Sequence, residues 1–337
     1  MRVKAIVLGA GMALVVGGEA LAWGSSGHRV IGVAAMQALP AELPPFLHTP
    51  GAAVTVGEQS REPDRSRGAG KAHDSDRDPG HFVDANDAGQ VAGVLPLDQL
   101  PATREDYETA LRAAGRANSW GLGYLPYSII EDWQQLAKDF AYWRADAAGA
   151  RLSPDPAHRA WLDADRDRRE AQILIDIGAL SHFVGDGSMP LHATVHYDGW
   201  GPFSNPNGYT NDRVHSAWEG DYVRANVTLP AVRAAMSPFH DCACQIQMRV
   251  GAYLMEGVHQ VVPFYELQKA GGFQPGVARG VDFTVARVAA GATELRDEIV
   301  LAWRASTDVK VGYKPELSIA DIEAGKVDPY DSLYGVD

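Results

Sequence analysis

The sequence predicts an all-α protein in which one multi-helix domain makes up most of the chain. Apolar residues recur at helical spacing in most segments between Arg29 and Ser306, whereas no segment shows the sustained alternation typical of a strand. No internal repeat and no clean linker divides the chain. Its 337 residues are 46% hydrophobic and 22% charged, the composition of a globular protein with a sizeable core.

The first predicted helix runs from Arg29 to Leu39, where Pro40 would end it, and a short helical turn follows over residues 42–47. The helix predicted over 129–147 carries an aromatic stripe that we expect in the core. The helix over 160–184 begins charged and ends apolar, as suits a helix that enters the core. Further helices are predicted over 103–114, from His215 onward, and over 231–236, 244–262 and 281–306.

Three polar segments interrupt this pattern. Residues 57–90 are rich in Gly and Asp and are predicted to be mostly loop, although loops often carry functional residues. Residues 193–213 form a second predicted loop, which contains Gly, Pro, Asn and several aromatic residues. Residues 307–337 are predicted to be a ragged tail.

The first 22 residues have the pattern of a signal peptide. Arg2 and Lys4 precede an apolar run, and Ala20-Leu21-Ala22 is a small-x-small cleavage signal. The run is too short for a comfortable membrane span. We therefore expect cleavage before Trp23 and export to the periplasm or the medium, with no transmembrane segment, one domain over 23–306 and the tail over 307–337.

Charge and cysteine content exclude some classes. The net charge of −13 argues against a protein that coats nucleic acid, although metal ions in a site could supply local positive charge for a nucleic-acid substrate. Cys242 and Cys244, the two cysteines, are too few for a disulfide framework and would close a very small loop. They are interpreted as two small residues near a helix start, with a zinc role as the alternative.

The segment from Ala179 to Val223 carries the clearest chemistry. His182 and Asp186 are four residues apart, as are His215 and Glu219, so each pair lies on one face of a helix. His192 lies between the pairs. Imidazole and carboxylate groups that converge in apolar sequence favour zinc, and this set is too large for one tetrahedral ion.

Four motifs occur together in this order: WGSSGH at 23–28, HFVD at 81–84, HFVGDGSMPLH at 182–192 and HSAWE at 215–219. With these motifs the chain resembles the superfamily of bacterial zinc-dependent phospholipases C and single-strand-specific zinc nucleases. The resemblance covers Trp23 to about Tyr222. It implies an all-helical fold with three zinc ions in one cleft, and the hydrolysis of a phosphodiester by an activated water.

The resemblance also implies which residues bind the metals. His81, His182 and Asp64 would bind the first zinc, and Asp186 would bridge it to the second. His28 and the amino group and carbonyl oxygen of Trp23, the expected mature N-terminus, would complete the second site. His192, His215 and Glu219 would bind the third zinc. Because the separation of Asp64 from His81 is long for the family, Asp74, Asp76 and Asp78 stay open as alternatives.

Four residues would act on the substrate if the resemblance holds. Arg67 would contact the phosphate, and Asp64 would orient the nucleophile as well as bind metal. Phe82 and Asp84 match positions that stack on and hydrogen-bond a base in the nucleases. The alternatives are a solvated loop arginine for Arg67 and core packing for Phe82. His196 is a candidate to support the metal ligands.

Three functions stay open at this point. A single-strand nuclease of DNA or RNA, with 3′-nucleotidase activity as a further expectation, is favoured by the spacing from Trp23 to His28 and by the Asp-x-x-Arg element at 64–67. A phospholipase C that cleaves phosphatidylcholine-like lipids is favoured by Glu219 and by the aromatic residues of 193–213. The third is an exported zinc-binding protein without catalysis. No obligate protein partner is indicated.

Overall fold

The computed structural model describes residues 23–115 and 118–335. It is 66% helical and only 3% strand, in a single domain, which confirms the predicted all-α fold. The predicted signal peptide and its cleavage point before Trp23 lie at the edge of or outside the described residues, so both stay predictions. The α-helices are α1 (Gly24–Gln37), α2 (Pro50–Gln59), α3 (Glu62–Arg65), α4 (Lys71–Arg77), α5 (Arg104–Ala113), α6 (Ser119–Leu122), α7 (Leu125–Leu152), α8 (Pro156–Ser188), α9 (Val223–Asn226), α10 (Leu229–Ala235), α11 (Ile246–His259), α12 (Val261–Lys269), α13 (Ala278–Ala305), α14 (Ile319–Glu323) and α15 (Tyr330–Tyr334).

Shorter elements link these helices. Two antiparallel pairs of two-residue strands are formed by β1 (Gln90–Val91) with β2 (Leu95–Pro96) and by β3 (Lys310–Val311) with β4 (Leu317–Ser318). Four short 3-10 helices and one π-helix complete the regular structure: Pro45–His48, Asp78–His81, Leu97–Gln99, Pro190–His192 and the π-helical Ala217–Tyr222.

The core is built around the long helices α7, α8 and α13. α7 and α8 pack along each other, α13 lies against both, and α1 packs against α2, α8 and α13. The predicted aromatic stripe of α7 contributes as expected, since Leu136 and Phe140 are fully buried and Trp133 donates from Nε1 to the Glu298 carbonyl, 3.1 Å away on α13. This packing holds the C-terminal end of α8 in the centre of the molecule.

Local sequence explains where α8 begins and which part of it is buried. Asp155 caps the helix by accepting a hydrogen bond from the Ala157 amide at 2.7 Å, and Pro156 occupies the first helical position. The first half of the helix is charged and mostly exposed, whereas nearly every residue from Leu180 to Ser188 is buried. The expectation of a helix that enters the core is confirmed.

Residues 57–90 differ from the prediction of mostly loop. This segment contains the end of α2, the short helices α3 and α4, and a 3-10 turn. Each of these elements is short and polar, so none of them has an apolar stripe by which it could be recognised. In α3, Glu62 pairs with Arg65 at 2.6 Å and Asp64 pairs with Arg67 at 3.4 Å, so charged pairs three residues apart support the turn.

The segment after Ser306 is not the ragged tail that the sequence predicted. It forms the β3–β4 pair and then α14, which pack against α7. Val311, Ile319 and Ile322 are buried there in a small second cluster with alanines of α7. The small alanine side chains of α7 leave a shallow apolar surface that this segment covers. The few apolar residues of the segment itself show no periodicity, so its folded structure could not be predicted from them.

The two cysteines form a disulfide. Cys242 and Cys244 have their Cα atoms 5.1 Å apart, within the usual range for a bridge. The interpretation of two separate small residues is therefore wrong, and a thiolate–zinc role does not apply to this oxidised pair. The bridge lies on an exposed segment that precedes α11.

Candidate metal centre

Helix ends and short turns bring the predicted metal ligands together in the core. α8 contributes His182 and Asp186 from its last two turns, and the 3-10 turn that ends at His81 packs against α8. The remaining ligands come from α1, α3, the turn after α8, and the region of the π-helix. The donors form three groups that could hold metal ions, and all of them are buried except the partly buried Asp64: a first group of His81, His182 and Asp186, a second of His28, Asp64 and His182, and a third of His192, His215 and Glu219.

The first group is a tight triangle of donor atoms. Nδ1 of His81 lies 2.9 Å from Nε2 of His182 and 3.2 Å from Oδ2 of Asp186, and the third edge, from His182 to Asp186, is 3.4 Å. Tetrahedral zinc with bonds of about 2.0–2.1 Å needs ligand atoms ~3.3 Å apart. The three atoms therefore have the spacing of one face of a tetrahedral site.

Asp64 is the carboxylate of segment 57–90 that lies at this triangle. Its Oδ1 is 3.9 Å from Nδ1 of His81 and 3.9 Å from Nε2 of His182. The three alternatives make other contacts: Asp74 binds His73 and the Gly68 amide, Asp76 contacts Trp120, and Asp78 binds Arg67. This geometry favours Asp64 over the alternatives.

Asp186 has the position expected of a bridging carboxylate. While its Oδ2 faces His81 and His182, its Oδ1 lies 3.4 Å from Nε2 of His28, and the His28 ring stacks on the His182 ring at 4.0 Å. A side chain at Gly185 would strike His28, because a Cβ there would lie 2.9 Å from Nδ1 of that ring. The close approach of α1 to α8 at this glycine is what places His28 beside Asp186.

Trp23 lies at the start of α1, five residues before His28. Its side chain is fully buried, donates from Nε1 to Oγ of Ser188 at 2.7 Å and contacts the Trp218 ring at 5.1 Å. Its carbonyl accepts the Gly27 amide at 3.1 Å. The residue is thus anchored next to the end of α8, and its role as a metal ligand through the free amino group stays a prediction.

The third group lies on the other side of Asp186. Nε2 of His215 is 3.0 Å from Nε2 of His192 and 3.0 Å from Oε2 of Glu219, while His192 and Glu219 are 3.9 Å apart. His215 and Glu219 are four residues apart on one face of the π-helical region, as their spacing predicted. This group is contiguous with the first, since Nδ1 of His192 lies 4.0 Å from Oδ1 of Asp186.

Backbone carbonyls orient three of the imidazole rings. In each ring Nδ1 donates to a main-chain oxygen, which leaves Nε2 as the unprotonated atom that faces the centre. These bonds are His182 to Ser60 at 2.9 Å, His192 to His81 at 2.6 Å, and His215 to Tyr197 at 2.8 Å. This arrangement is the support that metal-binding histidines ordinarily have, and sequence reasoning did not identify its acceptors because carbonyl groups have no residue signature.

Burial sets the protonation of the metal-free groups. It lowers the pKa of His81 and of His182 well below the usual value, so both rings are neutral, as metal ligands must be. Burial raises the pKa of Asp186 well above its usual range and that of Asp64 to about 7. Burial also acts to raise the pKa of Glu219, but the neighbouring imidazoles of His192 and His215 outweigh it and lower that pKa.

The carboxylates have capacity that the described residues do not satisfy. Oδ1 of Asp186 and Oε1 of Glu219 are buried and accept no hydrogen bond from any residue in 23–115 or 118–335. Buried polar atoms without partners are rare in native proteins, and a bound cation would satisfy both. The donor set therefore fits metal ions, with nitrogen and oxygen ligands of the kind that zinc accepts.

A cavity of about 340 Å³ opens onto the first and third groups, and we call it the first cavity. The predicted substrate residues Arg67, Phe82 and Asp84 line it together with His81, His192 and His215. Arg67, two residues after the end of α3, points toward the metal ligands, with Nη1 3.4 Å from Asp64 and Nε 3.2 Å from Asp78. Burial acts to lower the pKa of Arg67, but these carboxylates outweigh it and raise that pKa, so the guanidinium stays charged.

Phe82 and Asp84 are held by their backbones on one wall of the first cavity. The Asp84 amide donates to the Leu122 carbonyl at 2.8 Å, and the Leu125 amide donates to the Phe82 carbonyl at 3.1 Å. Both side chains are partly exposed. Burial raises the pKa of Asp84 to about 7. The core-packing alternative for Phe82 is disfavoured, because the ring faces the cavity and stays partly exposed.

Tyr197, one of the loop aromatics that the sequence singled out, lines the first cavity, whereas sequence reasoning missed Asp198 and Arg213 on the loop 193–213. Asp198 accepts from the His215 amide at 3.1 Å and binds Nε of Arg213 at 2.8 Å, so it links this loop to a metal ligand. No spacing rule would have found it. Of the four loop aromatics, Tyr197 and Phe203 are exposed, whereas Trp200 and Tyr209 are buried and support the loop.

His196 stabilises the same loop rather than a metal ligand. Its Nδ1 donates to the Trp200 carbonyl at 2.7 Å, its Nε2 lies 3.0 Å from Asp87, and its ring stacks on Trp200. It makes no contact with the donor atoms of the three groups among the described residues. The expectation that His196 supports the metal ligands by direct contact is therefore wrong.

Comparison with models of known protein families finds no match, and comparison with curated proteins finds none either. The family resemblance in the motifs thus stays a prediction. No helix in the described part of the chain combines the length and the apolar character that a bilayer span needs.

Proposed function

We propose that the protein is an exported zinc-dependent phosphodiesterase that hydrolyses single-stranded nucleic acid. One observation carries the proposal: three neighbouring groups of potential metal ligands adjoin a cavity that is also lined by an arginine and a partly exposed aromatic ring, Arg67 and Phe82. Metals next to a phosphate-binding cation and a stacking surface suit a polynucleotide better than a small anion.

Zinc is the metal that this donor set favours. The groups consist of imidazole nitrogen and carboxylate oxygen at spacings that suit bonds of about 2.0–2.2 Å, and the described residues offer no thiolate donor to them. When bound, such ions supply a water nucleophile that is deprotonated near neutral pH and positive charge for the leaving oxygen. The three groups comprise eight residues, of which His182 belongs to two groups, so three ions would have coordination positions left for water and substrate.

The chain's own residues would bind and orient the phosphate. Arg67 presents a planar donor fork at the edge of the first group, which can hold two phosphoryl oxygens, as a lysine cannot. Asp64 and Asp78 fix the direction of that fork through contacts at 3.4 and 3.2 Å. Asp64 also lies close enough to the first group to accept a hydrogen bond from the attacking water.

Phe82 and Asp84 would bind a base next to the scissile phosphate. The partly exposed ring of Phe82 offers a stacking surface that tolerates any base, and Asp84 offers a carboxyl group to base amino groups. Because burial raises the pKa of Asp84 to about 7, the carboxyl can both donate and accept near neutral pH. These two residues would favour an unpaired strand, since a paired base cannot present its face.

The first test uses the purified protein that begins at Trp23. It is incubated with single-stranded DNA and, separately, with phosphatidylcholine micelles, each with and without a chelator. We expect chelator-sensitive cleavage of the DNA and three zinc ions per chain by elemental analysis. If the protein binds three zinc ions but leaves the DNA intact, the proposed substrate is wrong, whereas the proposed metal centre is supported.

A phospholipase C activity is the second candidate, and exposed aromatic residues favour it. Tyr197 is 55% exposed at the first cavity and Phe203 is 46% exposed on the same loop, so both could enter a lipid interface or contact a choline group. Release of phosphocholine from the micelles without cleavage of DNA would establish this function. A zinc-binding protein without catalysis is the third candidate, and any chelator-sensitive hydrolysis eliminates it.

A further inference from the structure

A second cavity of about 320 Å³ lies next to the first cavity, and His81 lines both. Arg77, Arg104, Tyr124 and Asp132 also line the second cavity. The 3-10 turn that ends at His81 thus borders two concave surfaces. None of the residue roles implied by the family resemblance falls in the second cavity apart from that shared histidine.

Two arginines give the second cavity a cationic wall. Arg77, the last residue of α4, is exposed and makes no ion pair within the part of the chain that the structure describes. Arg104 is 28% exposed and has only a long ion pair, 3.8 Å from Glu131. An exposed guanidinium without a carboxylate partner can donate hydrogen bonds to two oxygens of a phosphate.

Aromatic rings connect the two cavities. The guanidinium carbon of Arg104 lies 3.5 Å from the centre of the Tyr124 ring and 5.8 Å from that of Trp120. Trp120 is 41% exposed, and the residue that follows it, Gly121, lines the first cavity. The exposed indole is therefore located on the rim between the cavities, where a base leaving the first cavity would meet it.

Asp132 contributes a carboxyl oxygen that lacks a hydrogen-bond donor among the described residues. Its Oδ2 is buried at the second cavity and has no hydrogen-bond partner among residues 23–115 and 118–335. Base amino groups are donors of the kind that would satisfy this oxygen, whereas the acyl chain of a lipid has none. The arginine side chains suit the phosphate of a nucleotide, the exposed indole suits the face of its base, and the unsatisfied carboxyl oxygen suits an amino group on that base.

We propose that the second cavity is a subsite for a further nucleotide of a single-stranded substrate, with Arg77 and Arg104 at its phosphate and Trp120 stacked on its base. This inference rests on the proposed nuclease function and extends it, since it assigns a preference for strands long enough to cross the rim. Short diesters would occupy the first cavity alone.

The test compares a small diester with an oligonucleotide. Arg77→Ala and Trp120→Ala are assayed on bis(p-nitrophenyl) phosphate and on a 12-nucleotide oligodeoxycytidylate, whose bases carry an amino group. We expect KM for the oligonucleotide to rise about fivefold or more with each variant, because base stacking and phosphate contacts each contribute at least that much, while turnover of the small diester stays within about twofold of wild type. The dependence of oligonucleotide binding on salt should weaken by about 0.7 in log–log slope for Arg77→Ala.

Matched controls come from residues that line neither cavity. Arg151 is an exposed arginine without an ion pair among the described residues, and Phe239 is 37% exposed with the Arg304 guanidinium 4.8 Å from its ring centre. Arg151→Ala and Phe239→Ala should leave both substrates unaffected. Equal losses in the control variants, or wild-type oligonucleotide kinetics in Arg77→Ala and Trp120→Ala, would overturn the subsite.

The same experiment separates this inference from the proposed function. If wild type cleaves both substrates and the variants behave like wild type, only the subsite is wrong. If wild type hydrolyses the small diester but not the oligonucleotide, the nucleic-acid substrate is wrong and the subsite falls with it. Absence of hydrolysis of either substrate overturns both.

Discussion

Asp186 is the residue on which the proposed metal centre depends most, and Asp186→Asn tests it with almost no change in shape. The side chain is fully buried on α8. One of its oxygens faces His28 at 3.4 Å, and the other faces His81 at 3.2 Å. Asparagine keeps the volume but removes the negative charge that two metal ions would share.

The two forms of the protein should respond differently. Without metal, burial raises the pKa of Asp186 well above its usual range, so the group is already uncharged. Asparagine replaces one neutral group by another, and the unfolding free energy of the metal-free form should change by only about 1 kcal/mol. With metal, zinc content should fall from three ions to one, because the group of His192, His215 and Glu219 is untouched. Phosphodiester turnover should fall on the order of 10³-fold or more, since the activated nucleophile is lost.

Elemental analysis, thermal unfolding of the chelated protein and steady-state kinetics measure these three quantities. Asp146→Asn is the matched control, because Asp146 is fully buried on α7 and neither of its oxygens has a partner among the described residues, yet it belongs to none of the three metal groups. The control should keep three zinc ions and full turnover. Three zinc ions and normal turnover in Asp186→Asn would refute the bridging role. A large loss of stability in the chelated, metal-free form of Asp186→Asn would show that Asp186 has a structural role instead.

Four further outcomes are expected. Phe82→Ala should lower kcat/KM about 5- to 150-fold on an oligonucleotide and leave bis(p-nitrophenyl) phosphate unaffected; an equal loss on both would refute base stacking. Arg67→Lys should cost about 10- to 100-fold in turnover with zinc content unchanged, as kinetics with elemental analysis would show, because the two-donor fork is lost. Zinc affinity should weaken as the pH falls below about 7. Burial raises the pKa of Asp64 to about 7, and this carboxyl group must lose its proton to bind zinc. Competition with a chelator at pH 5.5 and at pH 7.5 measures the change in affinity. Burial raises the pKa of Asp146 from 3.8 to about 8. Between these pH values the folded state binds one proton more than the unfolded state, so the free energy of unfolding falls as the pH rises. Asp146→Asn should therefore raise the free energy of unfolding by on the order of 5 kcal/mol at pH 9 and by little at pH 4, as chemical denaturation would measure.

Much of the fold could be predicted from periodicity, but the short elements could not. The long helices α7, α8 and α13 have apolar stripes of many residues, so their helical spacing is visible in the sequence even though their ends extend beyond the predicted bounds. α3 and α4 are only four and seven residues long and polar, which leaves no stripe to detect. The β3–β4 pair and α14 are stabilised by contacts with α7, a partner that lies far away in the sequence.

The candidate site shows the same division. Spacing alone placed His182 with Asp186, and His215 with Glu219, on common faces, because residues four apart on a helix are neighbours. It could not choose among Asp64, Asp74, Asp76 and Asp78, which differ only in what the tertiary structure places beside them.

The sequence by itself determined the helical class, the residue types of the metal centre and the local pairs within it, since these depend on neighbours within a few residues. Only the tertiary structure decided which distant groups meet. It placed His81 beside His182 at 2.9 Å although 101 residues separate them, and it directed one imidazole nitrogen of His182 to a backbone carbonyl and the other to the centre. It also put Arg77 and Trp120 beside a second cavity. Those arrangements arise from packing between elements, which periodicity along one element cannot encode.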